Sequence, residues 1–157
     1  AIGGAICWIF KPLGWGNWQA TVASITGLVA KENIVGTLGI LYGGGDGTVY
    51  QNIAQAFTGI TGYSFLVFNL LCAPCFAAIG AMKREFNNAK WTLAAVGYQC
   101  VFAYTIALIV YQLGLLFSGA GFTVATAIAI LLLAGLVYLV VRKNPYNDNH
   151  LTQKVSA

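Results

Sequence analysis

Residues 91–113 read WTLAAVGYQCVFAYTIALIVYQL, without one charged side chain. A helix needs about 20 mostly apolar residues to cross the roughly 30 Å hydrocarbon core of a bilayer. Residues 63–82 and 122–141 meet the same requirement, and residues 18–42 are long enough but carry Lys31 and Glu32 at their centre. The whole 157-residue chain shares the bias, being 59% hydrophobic and only 8% charged. A soluble domain carries roughly 25% charged residues. This composition excludes a soluble enzyme, a disordered tail and a nucleic-acid-binding domain, even though the net charge is +4. The expected fold class is all-α: a polytopic transmembrane helical bundle of about four spans, with the lipid bilayer as its solvent and no nucleic-acid partner.

Charge in the loops orients the spans. Lys83, Arg84 and Lys90 lie between the second and third apolar stretches, and Arg142 and Lys143 follow the last. Residues 43–62 and 114–121 contain no Lys or Arg. Positive residues mark the cytoplasmic side, which predicts four crossings with Lys11 and the polar tail, 144–157, inside. Residues 1–12 read as the end of a preceding apolar element in a longer polypeptide, not as a signal peptide, because the chain begins at Ala1 without a charged leader. Lys11-Pro12-Leu13-Gly14 should break that element. Residues 13–113 form the central segment, 114–143 the final helix and 144–157 the tail. The glycine-rich run Gly43-Gly44-Gly45-Asp46-Gly47 lacks a Gly-Lys-Ser/Thr ending, so no nucleotide site is read there. Residues 50–57 suit a short amphipathic helix at the outer interface.

Two constellations could carry chemistry. A charge at mid-bilayer costs about 2.5–3.5 kcal/mol on insertion scales, so Lys31 and Glu32 should face protein or water. Gly27 precedes them, and Asn33, Gly36 and Gly39 follow. That composition predicts a helix broken between Gly27 and Gly36, whose ends present N–H and C=O groups to a solute. The alternative is a salt-bridged pair that only joins neighbouring helices.

The second constellation is Cys72-Ala73-Pro74-Cys75. Pro74 cannot donate to the carbonyl of Leu70 and should kink the helix there. On a continuous helix Asn69, Cys72, Cys75 and Met82 would share one stripe, with Ile79 between. Thiols and thioethers suit soft or borderline metals, and a freed carbonyl would add an oxygen. Three readings stay open: small apolar packing residues, a transient transition-metal path, or a thiol–disulfide pair. With four cysteines in apolar sequence and the lone His150 in the tail, neither a secreted disulfide scaffold nor a closed zinc site is expected. On the third stretch Tyr98, Gln99, Cys100, Tyr104, Tyr111 and Gln112 supply polar groups for interhelical hydrogen bonds or for a pathway, and Gln99 should face the bundle. The last stretch is almost wholly aliphatic and reads as a peripheral, lipid-facing helix.

Several motifs together resemble the second gate segment of the ferrous iron transport protein B family. They are Gly16-Asn17-Trp18-Gln19-Ala20, Gly27-Leu28-Val29-Ala30-Lys31-Glu32-Asn33 and Gly36-Thr37-Leu38-Gly39, then Ser64-Phe65-Leu66-Val67-Phe68, Pro74-Cys75, Lys83-Arg84-Glu85, Trp91 and Tyr98-Gln99. The resemblance runs in order from residue 12 to 111. It implies the C-terminal membrane part of a bacterial iron(II) importer in the cytoplasmic membrane, with a GTPase domain elsewhere in the full-length protein and no enzymatic role for this segment. It also implies that the family's gate cysteine is Cys75 and its intramembrane charge pair Lys31 and Glu32, whereas Cys72 departs from the family pattern.

The expectation is therefore half of an iron(II) pathway. Cys75, Glu32, Cys72, Asn69 and Met82 are candidate transient ligands, Lys31, Asn33, Gln99 and Tyr98 line the path, and Pro74, Gly27 and Gly36 break helices. Iron(II) is the transported ion, and no tightly bound cofactor is expected. The expected partners are the other gate segment, the GTPase domain and further copies of the chain. The rival readings are a gate for nucleosides or another small polar solute, an intramembrane thiol oxidoreductase using Cys72 and Cys75, and a scaffolding subunit without a site.

Overall fold

A computed structural model describes residues 2–44, 47–119, 121 and 123–142. Gly45, Asp46, Phe122, Lys143 and the tail with His150 lie outside the described residues, so expectations that fall on them stay where the sequence left them. Among the described residues every regular element is helical: α1 (Ile2–Ile6), a 3-10 segment (Cys7–Leu13), α2 (Trp18–Thr26), α3 (Asn33–Tyr42), α4 (Val49–Ala56), α5 (Gly59–Leu71), α6 (Phe76–Phe86), α7 (Ala89–Phe117) and α8 (Val124–Val141).

Side-chain caps explain most of the helix starts. The Asn17 side chain accepts from the Ala20 amide at 2.7 Å, and Thr48 with Gln51 forms a capping box ahead of α4. Thr58, Asn88 and Thr123 cap α5, α7 and α8 in the same way. α6 turns into α7 within two residues because Asn87 adopts a left-handed φ of 46°, a conformation Asn tolerates better than most residues.

Three helical stretches are long and apolar enough to cross a membrane: Gly59–Phe86, Ala89–Phe117 and Val124–Val141. α7 is the hub. Against it α5 runs antiparallel, fixed by Ser64 Oγ donating to the Ala107 carbonyl at 3.1 Å. α8 packs on its other flank, where the Thr126 hydroxyl donates to Gln112 Oε1 at 3.2 Å. Only Thr126 and Ala129 of α8 are buried, matching the expected peripheral helix.

The fourth apolar stretch does break where expected, between α2 and α3. At about 1.5 Å per residue, α2 with 9 residues and α3 with 10 each span about half the hydrocarbon thickness. They do not run end to end. The hydroxyls of Thr26 and Thr37 lie 3.0 Å apart, so α3 folds back along α2. At the open end Trp15 and Phe57 both pack on Phe65, and Tyr42 packs on Phe57. Residues 18–42 thus form a hairpin whose tip lies at mid-depth, beside the middle of the α5–α6 span. This geometry corrects the expected placement of Lys11. The Pro12 carbonyl accepts from Gln112, so Lys11 lies toward the end of α7 opposite Lys83, Arg84 and Lys90.

The core gathers where the 3-10 segment meets α5 and α7. Trp15 is 1% exposed; it stacks on Phe10 at 4.4 Å and meets Phe65 and Phe68 edge-on or tilted. Ala20, Ala23, Ala103 and Ala107 are fully buried and let backbones approach closely, the usual basis of helix packing in lipid. Gly14, at φ 88°, ends the 3-10 segment. A Cβ there would run into the Tyr111 ring and the Thr61 methyl. Gly14→Ala is therefore expected to destabilise the fold by about 2 kcal/mol or more, read as a lower melting temperature in detergent. An unchanged melting temperature would contradict this packing.

Candidate functional site

The α5–α6 span is broken at residues 72–75, more completely than the kink the sequence predicts. Cys72 and Cys75 both have extended backbone, with ψ of 170° and 160°. A helix that stops leaves its last carbonyls without partners. The Cys72 amide takes the Phe68 carbonyl at 2.8 Å. The next two are taken from outside the helix: Lys31 Nζ donates to the carbonyls of Asn69 at 3.0 Å and Leu70 at 2.9 Å. A cation at a helix C-terminus also meets the negative end of the helix dipole. In the reverse direction the Phe76 amide donates to the Leu28 carbonyl at 3.0 Å. Each break thus supplies the hydrogen-bond partners that the other lacks.

Where the two breaks meet, an open cavity of about 690 Å³ has formed, its wall including Lys31, Glu32, Cys72, Pro74, Cys75 and Gln99. The wall carries two thiols, a carboxylate and the Gln99 side chain, whose Oε1 is itself buried without a hydrogen-bond partner. All four cysteines are reduced and half-buried. The Cys72 sulfur lies 3.9 Å from that of Cys100 across the α5–α7 contact. Among the described residues no three His, Cys, Asp or Glu side chains converge as a ready-made metal cluster.

Of the residues singled out from sequence, Cys75, Glu32, Cys72, Lys31, Gln99 and Pro74 come together, and Gly27 caps the end of α2 at the hairpin tip. The others do not. The stripe Asn69, Cys72, Cys75 and Met82 assumed a continuous helix, and the break dissolves it. Met82 sits two turns into α6, away from the cavity, and the Asn69 amide is bound to the Phe65 carbonyl at 2.8 Å. Tyr98 projects from another face of α7, where it stacks on Phe102. Asn33 and Gly36 lie within α3 and outside the cavity wall, so Gly36 is not part of the break. The Leu70 carbonyl freed by Pro74 is not an open ligand, because Lys31 occupies it. Tyr104 and Gln112 serve as interhelical ties, donating to the carbonyls of Ile9 and Pro12. Cys100, beside Cys72, and the Leu28 carbonyl were not legible as partners, since only the antiparallel register of α5 and α7 and the hairpin fold bring them in.

Comparison with known proteins decides the family. The family described as "Gate: Nucleoside recognition" matches residues 1–89. The chain belongs to the Gate family. Within it, the chain is similar to the Fe(2+) transporter FeoB of Staphylococcus aureus, at 40% identity over 69% of this chain and 16% of the relative. The FeoB of Methanocaldococcus jannaschii is also 40% identical, over 72% of this chain and 17% of the relative. A Fe(2+) transport protein A/FeoB fusion protein of Porphyromonas gingivalis is 29% identical over 73% of this chain and 15% of the relative. The Gate chain thus spans about a sixth of these relatives' length, and no solved structure matches it. Three membrane-length helices together with transporter relatives make it a multi-pass membrane protein.

Lys31→Met is expected to leave the Asn69 and Leu70 carbonyls without a partner and to cost about 1.5–3 kcal/mol, the range for hydrogen bonds to a charged group. Hydrogen exchange should quicken at residues 72–76 before it does in α7. Unchanged exchange there would show that Lys31 does not hold the break.

Proposed function

We propose that this chain is the C-terminal gate segment of an iron(II) importer and lines one half of its ion path. The observation that carries the reading is one cavity wall lined by Cys75, Cys72, Glu32 and Gln99 where two helix breaks meet. Iron(II) accepts sulfur, nitrogen and oxygen donors, and a mixed, incomplete donor set suits an ion in transit better than one held permanently. Water and the facing gate segment would complete the coordination. Lys31, bound to the end of α5, places a positive charge on the same wall and keeps a cation toward the thiols and Glu32. Similarity to the FeoB proteins supports iron(II) as the ion.

In this reading the chain has no enzymatic step of its own. GTP hydrolysis belongs to a separate domain of the full-length transporter, iron(II) is cargo, and no cofactor is resident. The setting is a bacterial cytoplasmic membrane with the C-terminus in the cytoplasm. The remaining partners are lipid, the other gate segment, the GTPase domain and further copies of the chain.

A second reading is uptake of a nucleoside or similar polar solute. It draws on the family's description and on the cavity volume, which falls in the range of small-molecule pockets. The thiols favour the metal, since a nucleoside site would offer amides and hydroxyls in their place.

In the intact transporter at matched membrane expression, Cys75→Ser is expected to lower iron(II) uptake about tenfold or more, and by more than Cys72→Ser does. Serine keeps the volume nearly constant, so a folding defect is not the expected cause. Full iron(II) uptake in Cys75→Ser, with nucleoside uptake lost, would overturn the reading in favour of the second.

A further inference from the structure

We propose that Cys72 and Cys100 form a second thiolate site, for a borderline or soft divalent cation such as Zn2+ or Cd2+, set behind the cavity wall. Their sulfurs lie 3.9 Å apart. An ion about 2.3 Å from each sulfur, the usual zinc–thiolate distance, would open an S–metal–S angle of roughly 115°, between tetrahedral and trigonal. The separation already suits an ion. At that separation the two reduced thiols share an S–H···S contact, and a disulfide would need them to close to about 2.05 Å.

Rigid elements set this spacing. Cys72 is held by its backbone N–H, which donates a hydrogen bond to the Phe68 carbonyl, and Cys100 sits mid-way along α7. The two helices are pinned a few turns away by the Ser64 hydroxyl on the Ala107 carbonyl. Cys72 also lines the cavity, which gives an ion a route to the pair. Two thiolates make a donor set suited to soft and borderline cations.

The chemistry balances without an oxidant. A divalent cation displaces one proton from each thiol, giving a neutral bis-thiolate and two protons released to cavity water. Neutrality matters at this depth, where an unpaired charge is expensive. The site rests on the transport reading only in taking the cavity as the route by which the ion arrives. Zinc stands above iron(II) in the general affinity order, so the pair would hold Zn2+ or Cd2+ more tightly than the proposed cargo.

The test uses the intact protein in nanodiscs, kept anaerobic and reduced, titrated with Cd2+ and followed by its near-ultraviolet thiolate-to-metal absorption. One Cd2+ per chain with a two-thiolate signal is expected. Cys72→Ser and Cys100→Ser should each weaken binding by roughly tenfold or more, while Cys7→Ser leaves it unchanged. In the wild type, where no variant can misfold, Cd2+ should protect Cys72 and Cys100 but not Cys7 from maleimide. No two-thiolate signal, or a signal lost in Cys75→Ser and kept in Cys100→Ser, overturns the site. Iron(II) uptake measured on the same Cys75 variant reports on the transport reading separately, so failure of one is distinguishable from failure of the other.

Discussion

The Lys31 ammonium, bonded to the carbonyls of Asn69 and Leu70, is the interaction on which the arrangement depends. In hydrocarbon each unsatisfied backbone group costs several kcal/mol, so irregular backbone survives at depth only where protein or a water-filled cavity meets it. α5 stops at Leu71, and Pro74 ensures that the helix cannot simply continue. Lys31 satisfies the orphaned carbonyls, and the Phe76 amide satisfies Leu28 in return. A charge that would be unfavourable in lipid is thus the partner that another helix lacks. Placing it there brings Glu32, Cys72, Cys75 and Gln99 onto one wall.

The surroundings keep the two breaks in register. Trp15, Phe10, Phe65 and Phe68 form one aromatic cluster above them, and the 3-10 segment packs against α2, α5 and α7 and so links the hairpin to the hub. These contacts draw on shape and dispersion rather than on water exclusion, because lipid is as apolar as the side chains themselves. α8 adds one buried hydrogen bond from Thr126 to Gln112 and otherwise shows apolar side chains outward, so the site rests on the α2–α3 tip, the α5–α6 break and α7.

Much of this was legible in the sequence. Apolar runs of membrane length gave the three spanning stretches, and a charge pair among glycines gave the break after Gly27, because insertion cost is a property of composition and length. Glu32 and Lys31 were readable as site candidates for the same reason, and Cys75 from its thiol chemistry beside Pro74 and from the family resemblance. One failure came from assuming that residues 63–82 continue as a helix. A helix predicts a stripe through Asn69, Cys72, Cys75 and Met82, and four extended or irregular residues rotate Met82 out of it. The direction of the α2–α3 hairpin was equally hidden, since a break in a helix does not encode whether the chain goes on or turns back. That turn moves Lys11 to the other end of the bundle and lets Lys31 reach Leu70. The proximity of Cys100 to Cys72 depends on helix register, which a single sequence does not carry.

The central claim is that the wall between the two breaks is where iron(II) passes. The rate at which a small membrane-permeant maleimide alkylates Cys75, measured in the intact transporter under anaerobic, reducing conditions with and without iron(II), tests it most directly. Slower alkylation with iron(II), and no slowing with a nucleoside at the same concentration, is the result expected from thiols that touch the ion. A rate indifferent to iron(II) but lowered by the nucleoside would contradict the account.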